Sequence, residues 1–169
     1  MTPTAYVMMI FFLHLGVVLV ATSYFAFSAA LAPRITHRAR VRFAMRPWLP
    51  MLIGAGVSLP WVLIALVLLQ QPVAGLKFVG AVALSAWVLL GLVGGAGVAQ
   101  HIGRPPHNGD LHSPAGWTDS IRGGLFITLT WVLPLVGWFA MLPLTLATGV
   151  GCLILGLFPM RQPAPVVAG

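Results

Sequence analysis

Acidic side chains are almost missing from this sequence. Its 169 residues include two Asp/Glu against nine Lys/Arg and five His, and 7% are charged while 59% are hydrophobic. A chain that poor in charge and that rich in apolar residues could not stay in solution as a water-soluble domain, so composition assigns it to the polytopic membrane proteins. Cysteine is scarce as well: Cys152 stands alone inside an apolar run, which excludes an intramolecular disulfide and reads as a small buried side chain. The formal net charge of +7 raises the question of nucleic acid. Its basic residues sit in short links between apolar runs, with neither a basic domain nor a platform of stacking aromatics, so orientation in a membrane accounts for them and no nucleic-acid partner is expected.

A second absence lies within the apolar segments, where no Asp, Glu, Lys or Arg occurs well inside any run. Proton relays, ion-coupled carriers and charged-substrate pathways place ionisable groups at that depth, so the sequence argues against them. Nor is a cleavable signal expected at the N-terminus. Ala30-Leu31-Ala32 has the small-x-small form, yet no basic region precedes the apolar run, the run exceeds a signal's apolar core, and Pro33 follows directly.

Three spans follow from length and composition: residues 5–32, 48–69 and 78–100. Pro60 predicts a kink in the second, with the Ser58 hydroxyl placed to satisfy a backbone group that the proline frees. In the third, Gly91, Gly95 and Ala99 recur every four residues and predict a close helix-packing seam, within the bundle or between subunits.

The last apolar stretch poses a length problem. Between Arg122 and Arg161 it runs for 38 residues without a charge, and as one straight helix it would measure about 57 Å against a hydrocarbon core of about 30 Å. Pro134, Gly137 and Pro143 cluster at its centre and predict a break, giving a hairpin that is either two short spans or re-entrant. The fold expected is therefore all-α: three transmembrane helices plus a C-terminal Pro/Gly-broken helical hairpin, one integral-membrane domain over residues 1–161 and a short disordered tail over 162–169.

Arg34, Arg38, Arg40, Arg42 and Arg46 fall in the first link, Lys77 alone in the second, and Arg104 and Arg122 in the third. The positive-inside rule then puts the N-terminus outside and the C-terminus in the cytoplasm, and the composition fits a bacterial plasma (inner) membrane. Arg34, Arg38, Arg42 and Arg46, spaced by four, form a basic stripe suited to anionic lipid headgroups or to a partner's carboxylates.

Few residues could carry chemistry. His14 lies near mid-depth in the first span, where an intramembrane histidine is a candidate to ligate haem, contact a quinone or move a proton; the alternative is an inter-helix hydrogen bond to Ser58 or Ser85. His14 and His101 are about 15 Å apart along the membrane normal, too far to share one haem iron. The third link gathers His101, His107, Asp110, His112 and Asp119, donors that suit zinc or another divalent transition metal, although H-x5-H-x2-D-x-H matches no established ligand spacing. Asp110 and Asp119 could equally pair with arginines of the first link. With no catalytic constellation present, the function expected is a non-catalytic subunit or assembly and stabilising factor of a larger membrane complex. A small haem- or quinone-binding protein using His14, and a lipid-handling or transport protein, are the alternatives; other membrane subunits or further copies of the chain are the expected partners.

Overall fold

The computed structural model describes residues 3–104, 116–133 and 135–158, and these are helical almost throughout. In chain order the helices are α1 (Pro3–Leu31), α2 (Pro33–Met45), α3 (Trp48–Gln70), α4 (Ala74–Gly103), α5 (Trp117–Trp131) and α6 (Leu142–Leu157), the last entered through a π-helical turn, Gly137–Met141. Prolines punctuate the first half. Pro33 ends α1 by disfavouring helical backbone at Ala32, and then opens α2, where its missing N–H costs nothing. Pro47 separates α2 from α3 in the same way, while α3 continues as a helix through Pro60. The bond expected from Ser58 does not form: its Oγ is buried without a hydrogen-bond partner among the described residues.

Four helices are long and apolar enough to cross a membrane: Thr4–Leu31, Trp48–Gln70, Ala74–Gly103 and Gly137–Leu157. The C-terminal apolar stretch divides unequally, because α5, with 15 residues, is only about 22 Å long. Gly137 lies at the division, where a Cβ would come within 2.4 Å of the Thr130 carbonyl oxygen. Pro143 falls one turn later, in the first turn of α6, and Leu142 N donates to Gly137 O across the π turn before it. Pro134 and the tail 162–169 lie outside the described residues.

Helix α4 is the centre of the molecule. α3 and α6 pack on one side of it, α1 and α5 on the other, and α2 crosses its C-terminal part. The paired residues give the directions. Gly103 meets Asp119 and Gly123, and Gly123 meets Ala99, so α5 runs antiparallel to α4; Gly91 meets Leu146 and Gly94 meets Gly149 and Leu153, so α6 runs parallel to it. Contact is backbone to backbone: a Cβ on Gly94 would lie 1.8 Å from Gly149 O, and one on Gly123 would lie 1.8 Å from Ala99 O. Only glycine permits that approach. Around it the core is small and aromatic, with Phe25 edge-on to Trp131 (6.4 Å between centroids) and Ala96, Ala99 and Cys152 filling the rest.

The bundle is tight at the end where α2 crosses and splayed at the other. Leu146 is level with Gly91, so Gly137, nine residues earlier, is about 13 Å further along and level with α4 near residue 82. Helix α4 continues about 12 Å beyond that, to Ala74. Beside Trp138 stands His14, with ring centroids 6.3 Å apart, and α1 projects ten further residues, about 15 Å. Every residue from 4 to 13 is exposed. Two arms, α1 and the α3–α4 pair, thus extend past the α5–α6 connection. The latter pair is closed on itself by Trp61 Nε1, which donates to Ala83 O at 2.9 Å, and by Gly80 against the Ala65 carbonyl.

Candidate functional site

At the tight end, α2 is seated by small residues. A Cβ on Gly97 would lie 2.7 Å from the Ala39 Cβ and 3.0 Å from the Arg40 amide nitrogen, so α2 can press directly on α4. This contact buries Arg40, which is 1% exposed. Arg40 Nη2 donates to His37 Nδ1 at 3.3 Å. Burial and the neighbouring Arg104 guanidinium lower its pKa from the ordinary arginine value, and the Asp119 carboxylate opposes that shift. Asp119 in turn accepts a hydrogen bond from Gly116 N at 3.1 Å, holding the first turn of α5. Gln100 on α4 and Ser120 on α5 are buried with an oxygen that has no hydrogen-bond partner among the described residues. The arrangement brings Arg40 of α2, Arg104 just after α4 and Asp119 of α5 close enough to influence one another. It contains no nucleophile and base in mutual reach.

The arginines of the stripe go to different places. Arg34 and Arg46 are exposed and Arg38 is half-buried. Arg42 turns onto the end of α6, where Nη1 donates to Leu155 O and Nη2 donates to Phe158 O at 2.9 Å. A cation on the last carbonyls of a helix opposes its negative dipole end. Sequence reasoning singled out the stripe and passed over Arg40. The signal available was its company: Thr36 and Ala39 share its face of α2, and both are small and buried.

His14 Nδ1 donates to Ile10 O, 2.8 Å away in its own helix, rather than bonding Ser58 or Ser85. Its ring borders a cavity of about 220 Å³ shared with Thr128, Trp131 and Trp138, below the roughly 300–1,000 Å³ of ordinary cofactor pockets. His101 packs edge-on against Phe43 at 5.6 Å. Among the described residues no three His, Cys, Asp or Glu side chains come together to hold a metal; His107, Asp110 and His112 lie outside them. Gly91, Gly95 and Ala99 all face inward, toward Leu146 of α6, Phe25 of α1 and Gly123 of α5 respectively.

Known proteins give no guide. No family model matches the chain, and neither a curated protein nor a solved structure does. The functional reading therefore rests on geometry alone, and the most unusual geometry is at the splayed end. In the α5–α6 connection and the π turn after it, Leu133, Leu135, Val136 and Phe139 are all exposed, Phe139 at 81%.

Proposed function

We propose that this protein is a non-catalytic integral-membrane subunit or assembly factor that receives transmembrane helices of a partner membrane protein between its two arms. The exposed α5–α6 connection carries this reading. With the arginine-rich end at the cytoplasmic face of a bacterial plasma membrane, we take α5 and α6 as a re-entrant hairpin, because its tip stands about 12 to 15 Å short of the ends of α1 and of the α3–α4 pair, even though Gly137–Leu157 alone is long enough to cross. Lipid cannot satisfy non-helical backbone, so such a tip must be covered by protein. This chain leaves it bare, with α1 on one side and the α3–α4 pair on the other.

Native mass spectrometry of the protein extracted under mild conditions tests the proposal, together with a photo-crosslinking residue at Phe139. The expected result is a species heavier than the monomer that contains a second membrane protein, crosslinked at position 139. Recovery of a monomer alone, with crosslinks only to lipid, would overturn it. A species made only of copies of this chain would overturn the distinct partner.

A further inference from the structure

We infer that the cavity on the inner face of α4 is a binding site for one acyl chain of an anionic phospholipid, whose headgroup rests on Arg46. The cavity holds about 390 Å³. Along α4 it is lined by Gly91, Gly95, Val98 and Ile102, residues three or four apart on one face. Eleven residues separate the first from the last, about 17 Å of helix, and one leaflet's share of the hydrocarbon core is about 15 Å. The slot therefore has the length of a single leaflet and lies along the helix that crosses it.

Its two ends differ. At the α2–α3 corner the lining residues Trp48 and Ile102 are exposed, so the slot opens there, at a tryptophan suited to the membrane interface. At the inner end Trp131 Nε1 donates to Thr145 Oγ1 at 3.1 Å and closes it. Apart from the Trp48 indole at the mouth, the walls offer no free polar side chain to a ligand. Thr145 Oγ1 is already bonded to Met141 O at 2.7 Å, and Thr148 Oγ1 donates to Leu144 O at 2.7 Å. A polar headgroup has nothing to bind inside, and water does not fill an apolar cavity of this kind, whereas an acyl chain from the surrounding bilayer does.

Charge selects the headgroup. Arg46 is exposed and immediately precedes Pro47 and Trp48 at the mouth. Asp119, the acidic residue among those described, faces Gly116 N and Arg40 instead. Among the described residues the mouth is thus basic without a local counter-charge of acidic type, which complements a phosphate diester.

The test is lipid retention by the full-length protein in native mass spectrometry, with phosphatidylglycerol and phosphatidylcholine of identical chains as probes. Wild type should retain phosphatidylglycerol preferentially. Arg46→Gln should lower that preference about fivefold, the factor for one interfacial arginine, with phosphatidylcholine retention unchanged. Met51→Trp, which adds bulk to a lining residue near the mouth, should reduce retention of both lipids. Arg46 is exposed, so its variant keeps the test decisive if Met51→Trp does not fold. Equal retention of the two headgroups by wild type, loss of neither lipid in either variant, or an effect of Arg46→Gln without one of a folded Met51→Trp would each overturn the proposal.

Discussion

Arg40 and Arg42 stand two positions apart on α2 and serve different purposes, because a rotation of about 200° separates their side chains. Arg42 reaches the carbonyl oxygens of Leu155 and Phe158 at the end of α6. Hydrogen bonds from a charged donor, together with the dipole interaction, are worth about 2 kcal/mol. Arg42→Gln should therefore lower the unfolding midpoint in detergent, while Arg34→Gln, at an exposed position, should leave it nearly unchanged. Arg40 is more exacting. It is 1% exposed between α2 and α4 and bonded to His37, so truncating it empties packed space and costs about 2–5 kcal/mol, as large-to-small changes in a core do. Arg40→Ala should thus unfold the protein at markedly lower temperature. Arg40→Lys should recover only part of the loss, since an ammonium keeps the charge but not the planar fork; full recovery by lysine would show that charge alone matters. The sequence could not single out Arg40, because which arginine turns inward depends on where Gly97 lets α2 approach α4, a contact between residues more than fifty positions apart.

Among the elements, α4 explains both what was legible and what was not. The spacing Gly91, Gly95, Ala99 reads as one seam. Each four-residue step in fact turns the helix face by about 40°, so the same series passes from α6 to α1 to α5 within three positions. The α4 glycine in closest contact, Gly94, is off the series altogether, since its partner Gly149 lies on α6 and its placement needs the long-range pairing to be known. Gly94→Ala would drive a methyl into the Gly149 carbonyl and should cost about 1–3 kcal/mol, as overpacking does. Gly56 on α3 supplies the contrast, because a Cβ there meets nothing within 4 Å. Gly56→Ala should be neutral or stabilising by up to about 1 kcal/mol, from helix propensity alone. Thermal unfolding of the two variants side by side checks the pair. Equal effects would mean that the two helices are not in backbone contact.

For the whole molecule, the long apolar helices follow from composition, and so they were visible in the sequence. The position of the α5–α6 connection along α4 was not, because it depends on where along α4 the short helix α5 begins, fixed by Gly103 against Asp119 and Gly123. Three positions separate the possible topologies. Gly75, at the α3–α4 turn, has open space around a Cβ, and Gly75→Cys should react with a membrane-impermeant maleimide added outside intact cells. Gly169→Cys, beyond the described residues, should react only after the membrane is permeabilised. Native Cys152 is fully buried and gives little background. Phe139→Cys decides the depth of the hairpin. Phe139 is exposed on the protein, and under the re-entrant arrangement proposed above the thiol at this position should resist the impermeant reagent from both sides and react with a lipid-soluble one. Bound partner helices should then protect it. Labelling at position 139 from outside would mean that the hairpin crosses fully, and the need for a partner to cover its tip would disappear with that result.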